Sequence, residues 1–204
     1  MPAAQRRSQL VDIARSVFAE RGYEAATVEE IAARAEVSKP VVYEHFGGKE
    51  GLYAVVVDRE MESVLDVFTR AMLEDRSKSR IEQIALALLT YVDERSDGFR
   101  ILTRNSSAAH PESGYSTLLN DLVSQVEVNL EGEFDRRGLD SELAPLYAQA
   151  LVGMVAMTAQ WWLEVRAPSK EVVAAHIVNL CWYGLTGLKE NPVAIELSQV
   201  SRDE

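Results

Sequence analysis

The chain is short of the residues on which most catalytic and metal chemistry is built. Among 204 residues there is one cysteine, Cys181, and there are three histidines, His45, His110 and His176. A single cysteine excludes an intrachain disulfide and any Cys-rich metal site. The histidines lie far apart, and no HExxH, P-loop, G-x-S-x-G or CxxC spacing occurs. Neither an enzyme nor a bound metal or cofactor is therefore expected. Positive charge is also in deficit: 21 Lys/Arg against 32 Asp/Glu leave a net charge of −11. That argues against an indiscriminate polyanion binder. The deficit is uneven, because residues 1–60 hold 8 Lys/Arg and 10 Asp/Glu while residues 61–204 hold 13 and 22. Glycine and proline number only 11 and 6, and 47% of the chain is hydrophobic, enough for one large domain or two small ones. No cleavable signal pattern occurs at Met1-Pro2-Ala3, and a cytoplasmic protein is expected.

What is present is helical periodicity, and the fold class it predicts is all-α. Leu10, Ile13, Ala14, Val17 and Phe18 form one apolar stripe, ended by Gly22 as a left-handed terminator. Tyr23 should pack into the small core beside Val28 and Ile31. Thr27 and Glu30 have capping-box spacing, and Val28, Ile31, Ala32 and Ala35 follow on one face. Glu36-Val37-Ser38 interrupts the pattern before a second start, where Ser38 can cap and Pro40 is tolerated in a first turn. Val42 and Phe46 share the inner face of this short helix, leaving Lys39, Val41, Tyr43, Glu44 and His45 pointing elsewhere. Two short helices around a three-residue turn, with a polar-aromatic outer face, are the plan of a helix-turn-helix. Its second helix enters the DNA major groove.

Thr27-Val28, Ile31-Ala32, Val37-Ser38-Lys39, Tyr43, His45-Phe46 and Gly48-Lys49-Glu50-Gly51-Leu52 carry a family resemblance. Over roughly Arg6 to Val57 the chain resembles the DNA-binding domain of TetR-family transcriptional regulators. The resemblance implies a helix-turn-helix domain over residues 1–50 and a helical effector-binding and dimerisation domain over 51–204. It implies DNA contacts by Thr27, Lys39, Pro40, Val41, Tyr43, Glu44, His45 and Lys49. Tyr43, His45 and Lys49 take phosphate roles, and Lys39 to Val41 and Glu44 face base edges. The chemistry agrees, since a phenol and an ammonium donate to phosphate and Val41 fits a thymine methyl. Glu44 departs from the family, which often has an aromatic or cationic residue there. It either accepts from cytosine N4 or turns away. Arg6 and Arg7 are either a solvated start or an arm reaching phosphate.

Lys49 begins a long helix, about 49–75, whose N-terminus is a further phosphate seat. Leu52, Tyr53, Val56 and Val57 face the first domain; Val64, Leu65, Phe68 and Met72 continue into the second. One helix thus joins both halves, and tilting it would move the recognition helix. After a polar break at Glu74 to Arg80, a helix runs from Ile81 to about Arg95. Asp97-Gly98 reads as a turn, Phe99 to Leu102 as a short helical piece, and Asn105 to Gly114, with His110, as a loop. Another helix begins at Tyr115 and closes around Arg137-Gly138.

The last two helices are unusually apolar. Leu143 to Leu163 is 21 residues without a charge, and Val172 to Leu188 is 17 more. The first passes the length rule for a membrane span, but Pro145, Gln149, Thr158 and Gln160 interrupt it and no basic anchors flank it. No membrane partner is expected. Helices apolar all round are better covered by a second subunit, in an obligate-type interface of roughly 2,000 Å² or more. The resemblance points to the same pairing. Val155, Trp162, His176, Leu180, Trp182, Tyr183 and Leu185 are assigned to that interface, and Gly153, Gly184 and Gly187 allow close approach. A small-molecule pocket among the middle helices is also implied by the resemblance. Phe68, Leu88, Tyr91, Phe99, Leu102, Met154, Met157, Trp161 and Trp162 are its candidate lining, with core packing as the alternative for each. The expectation is a homodimeric repressor of double-stranded DNA, released by a small apolar effector, with recognition helices about 34–36 Å apart on a pseudo-palindrome.

Overall fold

Caps and helix breakers set the element order in the computed structural model, which describes residues 3–73, 77–104 and 115–188. The order is α1 (Ala3–Ala25), α2 (Val28–Arg34), α3 (Lys39–Phe46), α4 (Lys49–Met72), α5 (Ser77–Glu94), α6 (Ser96–Arg104), α7 (Tyr115–Arg137), α8 (Ala144–Val165) and α9 (Lys170–Thr186). No strand occurs among the described residues, as the periodicity predicts. The loop expected at Asn105 to Gly114, with His110, lies outside the described residues.

Each local signal can be checked against the backbone. Gly22 has the positive φ of a terminator, 77°, but its ψ of 166° takes it out of the left-handed helical well, and one more turn follows to Ala25. Half of the expected capping box forms: the Glu30 N–H donates to Thr27 Oγ1 at 3.1 Å. The other half does not, because the Glu30 carboxylate turns to Arg34 and Arg21. Ser38 holds the cap position without a side-chain bond, so the start of α3 rests on its extended backbone and on Pro40. The predicted Asp97-Gly98 turn is a correction: both residues are helical in α6, and the chain turns at Arg95 instead.

α1, α2 and α3 form a small domain under the first part of α4, whose first turn contains the expected division at 50/51. α5 then runs along α4 and α9, and α7 along α8. One apolar cluster is continuous from Leu10 and Phe18 through Val56, Val64 and Leu89 to Trp162 and Ile177. The two halves therefore share a core rather than a linker. Tyr23 packs tilted against Tyr53 and stacks with Phe18, with centroids 4.7 and 6.2 Å away.

At the junction sits the one buried charged side chain among the described residues, Glu60 of α4, 1% exposed. A carboxylate is taken out of water only when bonded on all sides. Tyr91 Oη donates to its Oε2 at 2.8 Å, and Arg95 donates to both oxygens at 2.7 and 3.2 Å. Arg15 of α1 donates to Oε1 at 3.4 Å. Burial and the carboxylate push the Tyr91 phenol well above its ordinary range, so it stays a donor. Stranding a buried charge costs about 3–5 kcal/mol, less where the arginines keep partial exposure to solvent. This explains the helical Gly98, since a Cβ there would lie 2.1 Å from Glu60 Oε2 and 2.9 Å from Tyr91 Oη.

Gly98→Ala should therefore destabilise the protein by about 1–3 kcal/mol, a fall in melting temperature of about 3–10 °C for a chain of this size. Gly132→Ala in α7, where the added methyl meets nothing within 4 Å, should raise it slightly. Thermal unfolding of the two variants beside the parent decides, and equal melting temperatures would contradict the Glu60 packing.

Candidate functional site

α2 and α3 are held from below by Val28, Ile31, Ala32, Ala35 and Val42, all buried. Gly47, with φ of 74°, closes α3, and its N–H donates to Tyr43 O at 2.8 Å. Thr27, Lys39, Pro40, Tyr43 and Glu44 are exposed. Glu44 is turned outward with the rest of that face. Val41 and His45 are half-buried, and Val41 leans on the core.

The cations near this face are not idle. Lys39 pairs with Glu29 of α2 and lies 5.6 Å from the centre of the Tyr43 ring. The Lys49 ammonium donates to Tyr23 O at 2.9 Å and Glu24 O at 3.2 Å, and sits over the Tyr23 ring at 4.5 Å. Lys49 thus pins the carboxyl end of α1 to the start of α4. Its bonding capacity is largely committed inside the domain, which the motif alone did not reveal. Arg7 packs its guanidinium 5.1 Å from the centre of the Phe46 ring, so α1 brings a cation beside the end of α3.

A second feature lies between α4, α5, α7, α8 and α9. It is a cavity of about 110 Å³ lined by aliphatic side chains with Phe68 and the Cys181 thiol. Of the nine candidate lining residues, Phe68 and Leu88 are there. The other seven are elsewhere. Tyr91 bonds Glu60, and Phe99 and Leu102 are buried in the core near it. Met154 is half-buried, and Met157 and Trp161 are on the outside of α8. Trp162 is buried, its indole N–H donating to Pro168 O at 2.8 Å. Val155, assigned to the subunit interface, lines the cavity instead. The walls that were missed, among them Ile84, Ala85, Val152 and Ile177, carry no sequence signal that separates cavity from core. Burial pushes the Cys181 thiol up to about 11, so it stays protonated and unreactive at neutral pH.

The third feature is an uncovered apolar surface. Met157 and Trp161 on α8, and Leu180 and Tyr183 on α9, are all at least half exposed, Tyr183 by 67%. His176 is exposed beside them, and Trp182 and Leu185 are half-buried. Trp162 faces its own core and is removed from this surface. Ser141–Val165 is long and apolar enough to cross a membrane, with a mean hydropathy of 1.2 and only 28% of its most apolar window buried. No cluster of metal-binding side chains occurs among the described residues.

A helix-turn-helix with an exposed recognition helix, carried on a helical domain, defines a DNA-binding regulator. The family description "Bacterial regulatory proteins, tetR family" matches residues 10–56, and "Tetracyclin repressor-like, C-terminal domain" matches residues 69–196. The chain is 30% identical over 196 residues to the HTH-type transcriptional activator FasR of Mycolicibacterium smegmatis, covering 91% of this chain and 85% of the relative. It is 28% identical over 185 residues to the uncharacterized regulator YdgC of Bacillus subtilis, covering 88% and 92%. A TetR-like regulator from Rhodococcus sp. RHA1 superposes with a TM-score of 0.77 at 25% identity, covering 92% of this chain and all of that one. A TetR-family regulator from Streptomyces coelicolor gives 0.71 at 24%, covering 91% and 82%. The chain belongs to the TetR family of DNA-binding transcriptional regulators.

The ion pair at the head of α3 generates a test. Beside the base-edge role that the resemblance implies, the exposed Lys39 ammonium brings charge toward phosphate, so Lys39→Ala should weaken binding to any duplex and make the salt dependence shallower by about one unit. Glu29→Gln should do the reverse, strengthening binding by releasing the ammonium to phosphate. Fluorescence anisotropy over a salt series reads both, and identical slopes in the three proteins would take Lys39 off the phosphate backbone.

Proposed function

We propose that the protein works as a homodimer that represses by occupying a pseudo-palindromic operator and lets go when an apolar molecule fills the cavity. The observation that carries this reading is the placement of α4. Lys49 and Leu52 of its first turn lie under the helix-turn-helix, and Val64, Val67 and Phe68 form part of the cavity wall. Glu60 lies between, tied to α1 by Arg15 and to the α5–α6 corner by Arg95 and Tyr91. A ligand that parts the cavity walls pushes on α4, and the joint passes that motion to α1 and so to α3. Two α3 helices held about 34–36 Å apart match successive major grooves, and a change of separation weakens both half-sites together. By linkage, operator DNA weakens the ligand by the same factor.

The outward apolar faces of α8 and α9 support pairing with a second copy. Obligate interfaces have this composition, and Gly153 and Gly184 have open space above them that a partner helix would fill. Pro145, Gln149, Thr158 and Gln160 interrupt the apolar run of α8, which favours a protein partner over a bilayer. Within this reading Tyr43 and His45 hold phosphate, Pro40, Val41 and Glu44 read bases, and the regulator acts in the cytoplasm.

Leu180→Glu or Tyr183→Glu should give monomers in sedimentation velocity and lose operator binding at concentrations that saturate the parent. Dimers that persist with full affinity would remove this face from the interface. Ala156→Phe, which puts a ring into the cavity, should mimic the effector and weaken operator binding by about tenfold, a cost of about 1.4 kcal/mol. A folded variant with unchanged operator affinity would show that filling the cavity does not reach α3.

A further inference from the structure

We propose that the effector is an anionic amphiphile, with an alkyl tail in the dry cavity and an acidic head held by Arg137 in the chamber beside it. This rests on the effector reading above and adds the head group to it. Among the described residues the dry cavity is lined by no nitrogen- or oxygen-bearing side chain, only hydrocarbon and the Cys181 thiol. A polar group pushed inside would lose its water and find no partner. At about 110 Å³ the cavity holds several methylene-sized groups, since one water needs only about 10–15 Å³.

A second chamber of about 300 Å³ shares Ile81, Ile84, Val126 and Leu151 with the first, so the two abut across those side chains. Its chemistry differs. Among the described residues Arg80, Arg136 and Arg137 line it with one carboxylate, Glu133. Arginines gathered here stand in a region, residues 61–204, with 22 Asp/Glu to 13 Lys/Arg. The three arginines are not equivalent. Arg136 is neutralised by Glu133 at 2.7 Å, and Arg80 donates to the Asn129 amide oxygen at 2.9 Å. Arg137 donates to the carbonyls of Leu185 at 2.9 Å and Thr186 at 3.3 Å, and makes no ion pair among the described residues. Those bonds engage two of the five donors of a guanidinium. A carboxylate or phosphate takes up the rest in the forked geometry that suits it. A head group there also touches the last turn of α9, the helix that carries Leu180 and Tyr183, so it reaches the outer apolar surface as well as α4.

The test uses the full-length protein and calorimetric titration with dodecanoate, dodecyl phosphate and dodecan-1-ol, each below its micelle concentration. The anions should bind at least about tenfold more tightly than the alcohol, and the better of the two identifies the head as carboxylate or phosphate. Arg137→Gln should erase most of that preference while leaving alcohol binding unchanged, which also shows that the variant is folded. Arg137→Lys should keep much of it. Equal binding of all three probes overturns the anionic head and leaves an apolar effector standing. A preference that survives Arg137→Gln overturns the assignment to Arg137. If no probe binds, the amphiphile is overturned, and the effector reading is then judged separately by the operator affinity of Ala156→Phe.

Discussion

The structure depends on one buried carboxylate. Glu60 sits where α1, α4, α5 and α6 meet, and a charge in that place is tolerable only while Arg95, Tyr91 and Arg15 stay in bonding range. The demand reaches outward. It holds the α5–α6 corner to one residue and keeps position 98 without a side chain. It also adds an ionic tie to the apolar contact between α1 and α4. Arg59 of α4 adds a bond to Asp12 of α1 at 3.2 Å, one turn along. Apolar packing makes the two halves cohere, and the ionic joint ties α1 to α4 across it.

That division of labour makes the two halves one rigid body. α4 has no break in it between the helix-turn-helix and the cavity, so displacement at one end cannot be absorbed in the middle. Lys49 strengthens this by clasping the end of α1 to the first turn of α4. The recognition helix itself is short and lightly held, with Val42 as its one fully buried side chain. Its position is therefore decided by what lies beneath it.

Much of the DNA-binding half was legible because its signals are local. A hydroxyl one residue before a helix, a proline in a first turn and a glycine after a last one act within a few residues, and the motif repeats them at fixed spacing. Thr27, Pro40 and the exposed face of α3 lie where those signals put them. Lys49 shows the limit of the same reasoning. Its place in the motif suggested phosphate, yet its partners are carbonyls about 25 residues away in sequence. The Asp97-Gly98 pair misled for a similar reason: a strong local turn signal yielded to a carboxylate on another helix.

The larger, C-terminal half was legible only as helices. Trp161 and Trp162 are neighbours with the same chemistry, and one lies in the core while the other faces outward. Periodicity says that a helix exists and that it has apolar sides; it does not say what each side meets. By itself the chain determined its helices, their order and the helix-turn-helix. Which aliphatic residues surround empty space, which aromatics stay uncovered, and that Glu60 would be buried among cations were decided only when distant helices packed. Burial and charge pairing are properties of neighbours in space, and here those neighbours are separated by 31 to 45 residues of chain.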